Sequence, residues 1–283
     1  MDEYLLSEVG ARLLAFVTIF VAMAAYELLS PRLERDEMLG ALKARRWMTN
    51  LSLLIVSSAV LRVIFPAAAV GAALWAEANG IGLFHQIGIH GLLAGLISFV
   101  LLDLAIWGEH LASHKIPLLW RIHRIHHADN GLDVTTGLRF HPLEILISMV
   151  WKAVVVIALG APVLAVLVFE IVLNGTSMFN HANIDIPRPL DRLLRWFVVT
   201  PDMHRVHHSS IPRETDSNYG FNFPFWDRLF RTYRPQPGRG HKGVEIGLSE
   251  YRGLSAARLF WALVLPFRPH TKGQARSVKA DGE

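Results

Sequence analysis

Residues Gly91–His114 read GLLAGLISFVLLDLAIWGEHLASH. An apolar run that begins near Ile81 and lasts to about Trp107 leads straight into a pair of histidines four apart, His110 and His114. Such a run is long enough to cross a bilayer as a helix, which takes about 20 apolar residues. Histidines at i and i+4 share a helix face, with Cβ atoms roughly 5–6 Å apart. The stretch predicts a membrane span that delivers two convergent imidazoles at one surface. Neutral imidazole is the commonest protein ligand for zinc, iron and copper.

Two further clusters follow, His123-Arg124-Ile125-His126-His127 and His204-Arg205-Val206-His207-His208. In H-x-x-H-H the first histidine and one or both of the last two point the same way on a helix. A lone H-x-x-x-H is weak, and a single H-x-x-H-H also suits a solvated basic face. Eight histidines in three such clusters exceed what one ion can use, and they predict a two-metal site. His181, in Phe179-Asn180-His181-Ala182-Asn183, is a candidate ninth ligand. His141 reads as a supporting or structural residue. His85, His90, His241 and His270 have no partner at ligand spacing and read as structural.

Composition sets the surroundings. Of 283 residues, 52% are hydrophobic and only 18% charged, against about 25% charged in soluble domains; mean hydropathy is +0.33. The chain has no cysteine, which excludes disulfides, thiolate ligands and iron–sulfur clusters. The net charge of +4 is modest. Its basic residues flank apolar runs, so they read as membrane anchors and not as a nucleic-acid footprint.

Outward from the opening stretch, a first apolar run covers about Val9 to Leu29 and lacks a signal-peptide cleavage pattern. A charged loop with Arg32, Arg35, Lys43, Arg45 and Arg46 follows. The second run, Leu51 to about Ala76, contains Arg62, expected to face protein or a polar cavity, and Pro66, expected to kink the helix. After the histidine-rich segment His110–Glu144, the run Ile145–Phe179 is interrupted at Gly160-Ala161-Pro162 and reads as a helical hairpin. Leu254–Phe267 reads as an amphipathic surface helix, and Arg268–Glu283 as a loose tail. Putting the Arg-rich 32–46 loop in the cytoplasm brings every histidine cluster to the cytoplasmic face. The expected fold is an all-α integral membrane protein, a bundle of about four to five membrane helices under a helical, histidine-rich cytoplasmic cap. We read 1–283 as one membrane-embedded catalytic domain, with membrane helices over 1–97, a histidine-box core over 98–233, and a cytoplasmic tail with a surface helix over 234–283.

Nine histidines exceed the needs of two four-ligand zinc sites, and no H-E-x-x-H is present. A histidine-rich pair of redox metals at a membrane surface suits oxygen activation, with iron the leading candidate. Asp103, Glu109, Asp129, Glu144 and Asp202, with His141 and Asn183, are candidates to support the ligands from behind. The aromatic stretch Tyr219–Tyr233 reads as packing of the cap in preference to a cover over the site.

The order H-x-x-x-H, H-x-x-H-H, a single His before an Asn, then H-x-x-H-H resembles the fatty acid hydroxylase/sterol desaturase superfamily. Supporting phrases are Arg139-Phe140-His141-Pro142-Leu143-Glu144, Thr200-Pro201-Asp202-Met203-His204 and Asn218-Tyr219-Gly220 with Trp226-Asp227-Arg228-Leu229-Phe230. The likeness runs from about Ser98 to Tyr233. It implies a helical membrane enzyme with a cytoplasm-facing non-haem diiron centre that hydroxylates or desaturates a fatty acyl, sterol or related lipid with O2. The implied ligands are His110, His114, His123, His126, His127, His181, His204, His207 and His208; zinc can substitute for iron in a preparation. The chain departs from the family at Ser177, where some fatty acyl hydroxylases carry a histidine, and at Arg231, where Phe-Gly-Thr is common. No cytochrome b5 domain is visible, so a separate ferredoxin, cytochrome or reductase is expected to supply electrons. The expected location is a bacterial inner membrane. The competing readings are a non-catalytic metal-binding or metal-transport membrane protein, and a zinc-dependent membrane hydrolase.

Overall fold

The computed structural model describes residues 2–34 and 40–269, with side chains from Val9 onward. Arg35, His270 and nearly all of the expected loose tail lie outside the described residues. Eight helices build the bundle and the near side of the cap: α1 (Asp2–Leu29), α2 (Gly40–Ile64), α3 (Ala68–Ala78), α4 (Leu83–Ile87), α5 (Gly91–Lys115), α6 (Pro117–His127), α7 (Pro142–Leu159) and α8 (Val163–His181). Two short helices complete the cap's frame, α9 (Arg188–Leu194) and α10 (Pro201–His207), followed by a string of single turns. Five segments are long and apolar enough to span a membrane: Val9–Leu29, Gly40–Ile87, Gly91–Lys115, Pro142–Leu159 and Val163–His181. The chain is an integral membrane protein of the expected all-α class.

The core is apolar packing between non-consecutive spans. Ala69, Val70 and Ala73 of α3, Leu102 and Ile106 of α5, Met149 and Val156 of α7, and Val166 and Phe169 of α8 form one buried cluster. The alanines let α3 approach closely, as small residues do between membrane helices. α3 and α5 each pack against both arms of the α7–α8 hairpin. α7 starts on Pro142, its first turn capped by the His141 ring, which accepts from Leu143 N at 3.1 Å. It stops at Gly160, whose φ of +66° is the left-handed conformation favourable to glycine. Gly82 abuts this turn so closely that a Cβ there would lie 2.1 Å from Gly160 N.

Five expectations need correction. The second run is two helices, since α2 ends at Ile64 and α3 begins at Ala68; Pro66 breaks the helix instead of kinking it. Arg62 is exposed and faces no protein cavity. Its Nη1 donates to the Pro66 carbonyl at 2.6 Å, satisfying an acceptor that the break frees. The Ile81–Trp107 run is likewise divided, with α4 separated from α5 by Gly88 and Gly91, both at positive φ. The charged 32–46 segment is helical from Gly40 onward, and Arg46 is no membrane anchor: it is 2% exposed inside the cap. Finally, Leu254–Phe267 is three short helical turns in place of one surface helix. Ala262 and Leu265 from it are buried against Leu53 and Ile125.

Helix α1 presents Leu13, Leu14, Val17, Val21, Leu28 and Leu29 outward, as a lipid-facing span would. Its other face packs Phe16, Ile19, Phe20 and Met23 around Val134, Leu138 and Met178, and its polar residues add specific ties. Arg12 Nη2 lies 2.6 Å from Glu170 of α8, which also receives Lys152 of α7 at 2.6 Å. Near the other end Glu27 accepts from the backbone N–H groups of Val134 and Asn183.

Candidate metal centre

The three histidine clusters meet at one end of the bundle because their helices do. α5 brings His110 and His114 past the apolar span. Pro117 and Pro201 sit in the first turns of α6 and α10, where a missing N–H costs no helical hydrogen bond. α8 ends on His181 at the same level.

The nine expected histidines divide into two groups. His110, His114, His123, His127 and His207 form one, and His126, His181, His204 and His208 the other; within each, one ligand atom per residue lies within 4.8 Å of the rest. Each H-x-x-H-H box is shared between them. Its i and i+4 rings go to one group and its i+3 ring to the other. At about 100° of helical rotation per residue, i and i+4 diverge by only about 40°, whereas i+3 and i+4 diverge by about 100°. The α6 box gives its pair to the first group and His126 to the second. The α10 box does the reverse, giving His204 and His208 to the second group and His207 to the first.

The geometry fits cations. His181 Nε2 lies 3.0 Å from His126 Nε2, 3.0 Å from His204 Nε2 and 3.1 Å from His208 Nε2. One ring nitrogen is either one donor or one acceptor, so three such contacts are not three hydrogen bonds. Two nitrogens each about 2.1 Å from an ion at right angles stand about 3.0 Å apart. In the other group His123 and His127 Nε2 are 3.2 Å apart, while His110 Nε2 and His207 Nε2 are buried with no hydrogen-bond partner. Burial, with repulsion from neighbouring imidazoles, holds His126, His127, His204 and His208 well below the ordinary histidine range. Burial pushes His207 down to about 3. These rings are neutral, which is the ligating form.

Four rings are fixed from behind through Nδ1. His110 bonds the Tyr219 carbonyl at 2.7 Å, His181 the Ser177 carbonyl at 2.6 Å, His207 the Ser217 carbonyl at 2.7 Å, and His123 the Glu144 carboxylate at 2.6 Å. Donation through Nδ1 leaves Nε2 inward as the lone-pair nitrogen. Of the supporting residues expected from sequence, only Glu144 occupies such a place. Asp103 accepts from Trp226 Nε1 at 2.8 Å, Asp129 binds Arg46, Asp202 binds Arg32, and Asn183 bonds the backbone of Leu33. His141 caps α7 and contacts the Leu263 carbonyl at 3.2 Å, and Glu109 accepts from Ser148. These residues brace the cap without touching a ligand ring. The three carbonyls were invisible in the sequence, because any residue type supplies one.

The stretch Tyr219–Tyr233 does more than pack. Besides the Tyr219 carbonyl, the Phe221 ring lies 4.9 Å from His110. Asp227 holds the segment by accepting from Trp107 Nε1, Tyr219 N, Gly220 N and Thr232 Oγ1. On the opposite flank Phe140 stacks on His126 at 4.6 Å. Gly137 is a tight point: a Cβ there would come 2.6 Å from Ser177 O and 3.2 Å from His181 Nδ1. Gly137→Ala is therefore expected to displace His181 and lower metal retention about 10–100-fold, the usual cost of disturbing a ligand's support. Competition with a chelator measures it, and unchanged retention would refute the tight fit.

Residues 95–232, which carry all nine histidines, match the fatty acid hydroxylase family. Over that stretch, just under half of its length, the chain is similar to the fatty acid hydroxylase family. The ornithine lipid hydroxylase OlsE of Rhizobium tropici is 31% identical over 152 residues, 53% of this chain and 45% of that protein. Alkylglycerol monooxygenase of Xenopus tropicalis is 28% identical over 145 residues, 50% of this chain and 30% of that protein. Cholesterol 25-hydroxylase of Rattus norvegicus is 30% identical over 146 residues, 50% and 47% respectively. In each case less than half of the relative is spanned. No solved structure matches the chain. Arg231, the departure from Phe-Gly-Thr, has a φ of +60°, a conformation that costs an L side chain and suits the glycine common in this superfamily.

Proposed function

We propose that this protein is a non-haem diiron oxygenase that hydroxylates a membrane lipid, using O2 and electrons from a separate ferredoxin, cytochrome or reductase. Convergence of nine buried imidazoles into two adjoining groups carries the reading. Hydroxylation is favoured over desaturation because the three relatives above are hydroxylases or monooxygenases. Two irons in this nest would supply reduction of O2 with two electrons and two protons, one oxygen entering a C–H bond and the other leaving as water.

The chain's own contribution is positional. All nine histidines supply nitrogen. Glu144 and the Tyr219, Ser177 and Ser217 carbonyls fix four of the rings. Phe140 and Phe221 exclude water from two sides. The histidine end faces the cytoplasm of a bacterial inner membrane in this reading, since the Arg-rich entry to α2 lies at that end. A metal transporter fits less well: the charged residues Arg12, Lys152 and Glu170 inside the spans are paired with one another, whereas the grouped histidines gather at one end. A zinc hydrolase would use three protein ligands and a water and would leave most of these imidazoles without a task.

The test combines metal analysis, oxygen uptake and lipid mass spectrometry. Two irons per chain, reductant-dependent O2 consumption and a lipid heavier by one oxygen in the expressing strain are expected. Iron-loaded protein that consumes no O2, with identical lipids in expressing and deletion strains, would overturn the proposal.

A further inference from the structure

On the side of the cap framed by α9 and the start of α10, and lined by none of the nine histidines, is an open cleft of about 820 Å³. Six arginines line it, Arg32, Arg188, Arg192, Arg195, Arg228 and Arg239, with Lys242 the seventh cation, against two carboxylates. Both carboxylates are already engaged. Asp202 takes a two-pronged contact from Arg32 at 3.2 and 3.0 Å, and Asp191 pairs with Arg195 at 2.6 Å. Arg228 lies over two aromatic rings, its Cζ 4.6 Å from the centre of Trp196 and 4.3 Å from that of Tyr233. The side chains of Arg188, Arg192 and Arg239 make no hydrogen bond or ion pair with the described residues. Several guanidinium groups around one cleft, their acids spent, form a receptor for an anion with several oxygens. Phosphate matches the planar donor fork of arginine.

Its position says which phosphate. Arg32 stands three residues beyond Leu29, the last residue of α1, which is 85% exposed. The cleft thus opens where the first span leaves hydrocarbon. Helix α9, which carries Arg188 and Arg192 at i and i+4, exposes Leu190 and Leu193 on another face, followed by the exposed Trp196 and Phe197. Apolar and aromatic side chains beside arginines mark a segment lying in the membrane interface.

We propose that this cleft binds the phosphate headgroup of an anionic glycerophospholipid from the leaflet on the histidine side. The apolar edge of α9 enters the headgroup layer, and Arg188, Arg192 and Arg239 close around the phosphate. The site is independent of the metal centre and does not require the bound lipid to be the substrate.

The test uses the full chain in detergent, titrated with dioleoylphosphatidylglycerol, dioleoylphosphatidylcholine or glycerol 1-phosphate, with bound molecules counted by native mass spectrometry. Phosphatidylglycerol is expected to bind at least about tenfold more tightly than phosphatidylcholine, weakening with salt, and glycerol 1-phosphate at least about a hundredfold more weakly. The combined variant Arg188→Gln, Arg192→Gln, Arg239→Gln should lose at least about tenfold in phosphatidylglycerol affinity. The equal charge change Arg45→Gln, Arg213→Gln, Arg258→Gln, at exposed arginines outside the cleft, should leave it within about twofold. Equal binding of the two lipids, or equal losses in the two variants, would overturn the proposal. Glycerol 1-phosphate binding as tightly as the lipid would make the cleft a site for a soluble anion. Unchanged lipid binding with slower reduction by an acidic electron carrier would make it a protein dock. Either result sinks the lipid assignment.

Discussion

His204→Ala and His126→Ala will each lower lipid oxidation at least about a hundredfold, while the protein stays in the membrane. Disturbing a residue that merely orients a ligand already costs about 10–100-fold in metal affinity or activity, so loss of the imidazole itself falls at or beyond that range. Both rings point Nε2 at His181 Nε2, 3.0 Å away, and both are wholly buried, so bulk water does not replace the lost donor. Iron content, product formation and membrane fractionation measure the effect together. His85→Ala is the matched control. Its ring sits against Gly160 at the far hairpin turn, and activity within about twofold of the parent is expected because no ligand contact is lost. Full activity in His126→Ala would remove that residue from the centre.

Arg46→Leu should destabilise the cap by about 3–5 kcal/mol, the range for removing one partner of a buried ion pair. Arg46 Nε and Nη2 engage both oxygens of Asp129 at 2.5 and 2.9 Å, and Nη1 reaches Asp133 at 2.8 Å. Leucine would leave two carboxylates buried beside each other without their cation. The loop they brace, between α6 and α7, carries Gly137 and Phe140 against the ligand rings, so iron retention should fall along with stability. Limited proteolysis under increasing denaturant reads the cap directly. A midpoint unchanged from the parent would show that the network is not what holds the loop.

How much of this could be read in advance depends on whether a feature is periodic. Histidine spacing is periodic, so the i, i+3, i+4 pattern exposed the candidate ligands, and the apolar runs exposed the spans. The division of each box between two groups was not legible, since it depends on how α6 and α10 are rotated against each other. Supporting acids were misplaced for a related reason. Asp202 stands two residues before His204 on α10 and so points to a different side; Asp129 lies beyond the end of α6, and Asp103, two turns before His110 on α5, is taken by Trp226. Arg46 looked like a topology signal in a charged loop; only the partners at 129 and 133, more than eighty residues along the chain, reveal it as a brace. Local breakers such as Pro66 announce themselves, but whether they bend or divide a helix is settled by what packs on either side.

The way α1 is attached bears on how the protein can be cut and rebuilt. Its outer surface resembles a detachable leader, an oily rod touching lipid along its length. Yet Arg12 reaches the glutamate that lysine 152 also holds, and Glu27 stitches the loop at Val134 to the start of the segment after α8. Shaving the rod away would strip a cation from an acid sunk in oil and uncap two amides beside the histidines. The leading helix is a keystone, and a shortened chain that began at Gly40 would have to close its arch without it.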